Sequence, residues 1–324
     1  MSLNTVYQHL RELQKSCIIT HDNVRNRIFF DIDYSVVASI APVWIMESGN
    51  CAEDSLPKVM FEKLVNQNNN ALTNKLLYYY DCDMLVSTLQ DRFSIIESLL
   101  TKFYQKIPVE SKYKLTDFDS FSISSEPELF AYLNSIFIYI GSTLDIITKV
   151  AYELQSIQTI DYSNYPYMKS KRIQFGDRRR ISNINIQNTI FEYPAIVRKI
   201  EAIRNRIVHD GSFDFNQNIY AGWIKDKDLV ERCILFPDFD VNGNFVSIKN
   251  RCNFYSESTR INLTLPSILN ELFALIKFTI LEINRFYDIQ RYSNTLDIVK
   301  FRNEIEHWTK SFVSILSKDL PIRD

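Results

Sequence analysis

Glycine is scarce in this chain: six residues in 324, against the ~7% usual in soluble proteins. Together with long apolar-periodic runs, that scarcity points to a mostly helical fold. Paired cysteines are also missing. The five cysteines, at 17, 51, 82, 233 and 252, lie far apart, with no C-x-x-C and no histidine at ligand spacing. A zinc site and a disulfide framework are therefore not expected. No Walker loop, GxGxxG or GxSxG occurs anywhere. The amino-terminal stretch MSLNTVYQHLRELQKSC is amphipathic and lacks the apolar core of a signal peptide. The longest uncharged stretch, Leu129 to Leu144, is short for a bilayer span and is interrupted by Asn, Ser and Gly. These absences give the expectation of a cytoplasmic protein in a reducing compartment, with no membrane partner, no metal and no cofactor.

A strong net charge is missing too. The chain carries −2 overall, so its global field does not announce nucleic acid. The local distribution differs. From Lys169 to His209 there are ten Lys/Arg against three acids, a local +7 that leaves −9 for the rest. Such asymmetry favours an anionic partner at that segment. Apolar residues at 46% and aromatics at 13% are enough for a substantial core.

Along the chain, residues 2–16 read as a short helix. Residues 17–46, rich in β-branched and aromatic side chains, read as one or two strands. From 71 to 105, Leu76, Leu77, Tyr80, Met84, Leu85, Leu89, Phe93, Ile96 and Leu99 recur at three- and four-residue spacing and predict a long helix. A polar connector follows over 106–121. Ser125-Glu126-Pro127-Glu128 reads as a helix start, with Ser125 as cap, and that helix runs to about 157. After an aromatic and basic loop, a third helix spans about 186–209, with Pro194 near its first turns or kinking it. Two β-rich runs around Asn242-Gly243 predict a hairpin, and helices over 264–290 and 294–318 close the chain. The expected fold class is mainly α, a helical bundle with a small β-hairpin insertion and a short β-rich amino-terminal segment. The expected divisions are 1–70, 71–212 and 213–324.

Two patterns imitate metal sites. Asp238-x-Asp240-x-Asn242-Gly243 resembles half of a calcium loop, but its twelfth position is Lys249 where a glutamate is needed. Asp81 and Asp83, two apart on a helix, point to different sides. His9 and His21 have no arginine at the relevant spacing and no metal companions, and read as surface or packing histidines.

The chemistry-bearing stretch is RNRIVHDG, Arg204 to Gly211. Gly211 readily takes the left-handed conformation that stops a helix, which puts His209 in the last turn. Unpaired carbonyls there favour the imidazolium. Arg204 and His209 lie roughly 140° apart on a regular helix, whereas Asn205 and His209 share a face. The pair converges only if the helix loosens near its end or a second subunit contributes. The residue types suit RNA cleavage by internal transfer. Histidine moves protons near neutral pH, arginine holds phosphate oxygens, and asparagine orients a hydroxyl or phosphate.

Arg204-Asn205-x-x-x-His209 at a helix end, among long helices, resembles the R-x(4–6)-H signature of the HEPN domain superfamily, in its longer bacterial form. Gly141 to Leu154, GSTLDIITKVAYEL, is similar to the helix that packs beside that motif. The resemblance covers about 72–212. It implies an antiparallel helical bundle and a metal-independent endoribonuclease of toxin–antitoxin or phage-defence type. It also implies a homodimer with both Arg/His pairs facing one cleft, an antitoxin or regulatory protein as partner, and Asp145 as the acid that orients Arg204.

RNA is the expected substrate. Lys169, Lys171, Arg172, Arg178, Arg179, Arg180 and Arg206 are the candidate phosphate contacts, with Tyr165 and Tyr167 as stacking platforms. The same three-residue pattern recurs at Arg302-Asn303 and His307, flanked by Glu304 and Glu306, where an acidic setting repels phosphate. Two rival readings are a non-catalytic HEPN module that binds nucleotide, RNA or a protein partner, and a helical scaffold whose basic segment packs on an acidic surface.

Overall fold

Two antiparallel helices frame the molecule and carry the motif. The first, Pro127–Leu154, starts on a proline whose fixed φ suits the first helical turn. Ser125 is not its cap: that residue ends a strand, Ser120–Ser125, and Glu126 occupies the cap position without a side-chain cap bond. The second, Ala195–Asp210, is capped by Pro194 and terminated by Gly211 at φ 85. The loop before it has short 3-10 turns, and no helix spans 186–194. In this computed structural model the described residues are 2–29, 47–51, 56–67, 69–182, 184–227 and 229–288, with 303, 306, 310 and 314 beyond them.

In chain order the described helices are α1 Leu3–Ile28, α2 Lys58–Gln67, α3 Ala71–Tyr104, α4 Pro127–Leu154, α5 Ala195–Asp210 and α6 Ile261–Asp288. The strands are β1 Ser120–Ser125, β2 Asn218–Ile224 and β3 Leu229–Cys233. The protein is mainly helical, as expected. α3 packs along α4, and α1 packs along both α3 and α6. α3 opens on Asn70, whose side chain accepts from the Thr73 backbone N–H at 2.9 Å and fills one of the unpaired donors of the first turn.

The expectation for 17–46 is corrected where it can be read: residues 17–28 continue α1 rather than forming a strand. Val6, Leu10, Leu13, Cys17, Val24 and Ile28 are buried at three-, four- and seven-residue steps, the stripe of an amphipathic helix. The hydroxyls of Ser16 and Thr20 donate to the carbonyls four residues earlier, which satisfies them inside the bundle. Residues 30–46 lie outside the described residues, as does most of the helix expected over 294–318. There Asn303, Glu306, Lys310 and Ser314 are helical and exposed.

The hairpin also differs from expectation. β1, β2 and β3 form an antiparallel sheet in that order, with Ser120 opposite Trp223 and Tyr220 opposite Cys233. The hairpin is the one that pairs β2 with β3, with a 3-10 turn at Lys225–Lys227 following β2. Asn242-Gly243 instead closes a small turn flanked by a single bridge, Phe239 to Phe245. Asp240 accepts there from the backbone N–H groups of Asn242 and Asn244, and Asp238 accepts from Ser256 and Glu257. Both carboxylates are thus spent on turn geometry.

β1 leads into α4 and β2 follows α5, so the sheet sits beside the amino end of α4 and the carboxyl end of α5. Phe213, just past Gly211, is fully buried and stacks on Phe130 at 6.0 Å. Full burial of such a ring contributes ~2–3 kcal/mol, enough to fix the chain's exit from α5. α4 and α6 are long and apolar enough to cross a membrane by composition, and 56% of each apolar window is buried inside the fold, as in core helices.

Candidate functional site

One ridge of α4 organises the site. Gly141, Asp145, Lys149 and Glu153 follow each other at four-residue steps, the spacing that lines side chains up along a helix. Gly141 gives room. A Cβ there would lie 2.6 Å from Cγ and 3.2 Å from Cβ of Arg204, so glycine is what lets the arginine lie flat across α4. One turn on, Asp145 Oδ2 pairs with Arg204 Nη2 at 3.5 Å, and Asp145 Oδ1 accepts from the Phe175 backbone N–H at 2.8 Å. Arg204 Nη1 also donates to Asn205 Oδ1 at 3.0 Å. The guanidinium is oriented from two sides, and the Arg204 side chain keeps about a third of its surface open.

His209 is exposed in the last turn of α5, with no hydrogen-bond partner to its ring among the described residues. The Gly211 backbone N–H donates to the Ile207 carbonyl at 3.0 Å, so the helix stays regular to its end. Loosening of the last turn, one of the two routes to convergence, is not what the structure has. Arg204 lies against α4 while His209 turns away by about 140°.

The segment from Lys169 to Arg180 is pinned to the same ridge. Glu153, buried, accepts from the Ser170 backbone N–H at 2.6 Å and from the Tyr78 hydroxyl at 2.7 Å. Between these anchors and the one at Asp145, the backbone faces the bundle and the bases face out. Lys169, Lys171, Arg172, Arg179 and Arg180 are exposed; Arg180 Nε lies 3.4 Å from Asp177.

Two of the arginines expected to contact phosphate are committed inward. Arg178 stacks over Tyr193 at 3.7 Å and over Phe175 at 5.2 Å. Arg198 covers the same tyrosine at 4.9 Å. Arg206 is 8% exposed, set against the rings of Phe245 at 5.0 Å and Phe215 at 5.8 Å, with Asp210 at 3.9 Å. Charge counting cannot see this, because Arg206 falls on the buried stripe of α5 with Ile203 and Ile207. The stacking tyrosines divide likewise: Tyr167 is 82% exposed, whereas Tyr165 donates its hydroxyl to Asp81, and burial followed by that carboxylate pushes its pKa up.

No sequence motif marks the clamp on Tyr193. This residue takes φ 64 and donates its hydroxyl to Glu201 at 2.5 Å. Its pKa is raised, by burial first and then by Glu201, against the two arginines. His21 contacts Asp83 between α1 and α3, and His9 lies 4.0 Å from Glu12. Among the described residues no three His, Cys, Asp or Glu side chains gather as a metal site would need. Of the second R-N-x-x-x-H copy only Asn303 and Glu306 are described, both exposed; Arg302 and His307 lie outside the described residues.

No family model matches the chain, and neither a curated protein nor a solved structure is found to be similar to it.

Proposed function

We propose that the chain is a metal-independent endoribonuclease of HEPN type that acts as a homodimer. The observation that carries this reading is the Arg204 guanidinium, held by Asp145 and Asn205 yet partly open, five residues before a solvent-facing, helix-terminal histidine. The exposed bases at 169, 171, 172, 179 and 180 supply a surface for the RNA backbone. Because Arg204 and His209 diverge within one helix, each cleft pairs Arg204 of one subunit with the partner's His209.

In that cleft the ribose 2′-hydroxyl attacks the adjacent phosphorus and the bond from phosphorus to the 5′-oxygen breaks. The histidine handles the proton leaving the 2′-oxygen and the proton arriving at the 5′-oxygen. Arg204 neutralises the charge gathering on the non-bridging oxygens. The products are a 2′,3′-cyclic phosphate and a 5′-hydroxyl.

Purified protein incubated with assorted RNAs and a chelator tests the reading. Cyclic-phosphate ends are expected from the wild type and from Arg302→Ala, and not from Arg204→Ala or His209→Ala. Cutting that survives either of the last two variants would overturn it. A non-catalytic binding module is the second reading, favoured by the engagement of Arg204 with Asp145. It predicts salt-dependent RNA affinity with no cleavage.

A further inference from the structure

A cavity of about 460 Å³ lies beside the α4 ridge, walled by α2, α3, α4, residues 48–50 and the loop before α5. Its volume is in the range of sites that enclose a small organic molecule. The apolar lining is Phe61 of α2, Leu77, Met84 and Leu85 of α3, and Met168. The charged wall is one-sided. Lys149 and Lys171 both line the space, and neither has an ion-pair partner among the described residues.

The carboxylates that would normally neutralise Lys149 are occupied elsewhere. Four residues to either side on α4, Asp145 is held by Arg204 and the Phe175 N–H, and Glu153 by Tyr78 and the Ser170 N–H. Asp81 is the one acid among the lining residues. Its Oδ1 accepts from Asn50 Nδ2 at 3.2 Å and its Oδ2 from the Tyr165 hydroxyl. A half-buried lysine facing an apolar chamber with its neighbouring acids already used is a site for an anion. A cation would meet two lysines against the single carboxylate of Asp81, whose oxygens already accept from Asn50 and Tyr165.

From this arrangement we infer that the cavity binds a small amphipathic organic anion, its aromatic or aliphatic body against Phe61, Leu85 and Met168 and its anionic head between Lys149 and Lys171. The site is separate from Arg204 and His209 and does not depend on the ribonuclease reading. It touches the same loop, however. Lys171, exposed like Lys169 and Arg172 beside it, also lines the cavity.

The dye 1-anilinonaphthalene-8-sulfonate, an aromatic body with one anionic head, serves as the probe, read by fluorescence titration of the whole chain. The wild type is expected to bind one equivalent saturably. Leu85→Trp, which fills the chamber, is expected to abolish that site. Lys149→Met should weaken it about tenfold, the size of a lost charge-assisted contact, and Lys149→Arg should restore it. Thermal melting of each variant shows which are folded. Absence of a saturable site in the wild type overturns the inference. So does unchanged affinity in folded Lys149→Met.

Discussion

At the scale of single residues, Gly141 makes the sharpest demand. Alanine favours a helix interior over glycine by roughly 0.5–1 kcal/mol, so Gly141→Ala would stabilise α4 if nothing lay beside it. Something does: the Arg204 side chain occupies the space of the missing Cβ, at 2.6 Å. The arginine must swing away, and its pairing with Asp145 goes with it. The expected outcome is a folded protein whose melting temperature gains little or nothing and, on the proposed ribonuclease reading, whose RNA cleavage falls by about a hundredfold, the range typical of a lost transition-state contact. Full activity with a raised melting temperature would mean that Arg204 does not need this seat.

The thiols give a second residue-scale prediction. Burial pushes Cys17 up to about 12 and Cys233 up to about 11, and Cys82 also well above its ordinary value. The thiolate is the reactive form. In native protein near pH 8, Cys51 and Cys252 should therefore be alkylated first, and Cys17, Cys82 and Cys233 only after denaturation, as peptide mass mapping would show. The sign of the linked pH effect follows. An unfolded thiol ionises near 9.0 while the buried ones stay protonated, so the stability they confer is present below pH 9 and falls as pH rises beyond it.

Among the elements, α6 contains an irregularity that α3 remedies. Pro266 lies inside the helix and lacks the N–H that would pair with the Asn262 carbonyl four residues earlier. The Tyr104 hydroxyl, from the last residue of α3, donates to that carbonyl at 3.1 Å. Removing it by Tyr104→Phe should cost ~1–3 kcal/mol, the penalty of an orphaned buried acceptor. In a Pro266→Ala background the helix supplies its own donor, and the same change should cost less than half as much. A double-mutant cycle in denaturant reads the difference.

How far the elements were legible depends on what their residues face. α3, α4 and α6 announced themselves by apolar periodicity over many turns, and Gly211 marked the end of α5. The second half of α1 did not. Ile18 and Ile19 are exposed at 54% and 50%, so apolar residues fall on both faces, and β-branched content there mimics a strand. β1, all six residues exposed, has no alternation to read; its pairing with β2, nearly a hundred residues away, is a tertiary fact. The seat of Arg204 on Gly141 and Asp145 is partly readable, since Gly141 and Asp145 lie in GSTLDIITKVAYEL and Arg204 in RNRIVHDG. The inward turn of Arg178 and Arg206 was not. A sequence shows where a charge is attached, not which aromatic ring it lies against.

For the whole molecule, the question is whether one chain suffices. α5 is regular from Ala195 to Asp210, and a regular helix separates positions 204 and 209 by about 140°. If catalysis needs both groups at one phosphodiester, a second chain has to bring one of them. A two-fold dimer does so twice, because such an interface repeats every contact. On the proposed reading, mixing the two inactive variants therefore has a definite outcome. Arg204→Ala and His209→Ala homodimers each lack one component of both clefts. A mixed dimer has one cleft without either group and one cleft with both intact. After exchange at equal concentrations, half of the dimers are mixed, so activity should return to about a quarter of the wild-type value per chain. It should fall on dilution below the dimer dissociation constant. Activity that stays at the level of the separate variants, under conditions where light scattering and labelled subunits confirm exchange, would show that each chain must bring its own arginine and histidine together. On the proposed ribonuclease reading, the continuous last turn of α5 would then have to open before cleavage.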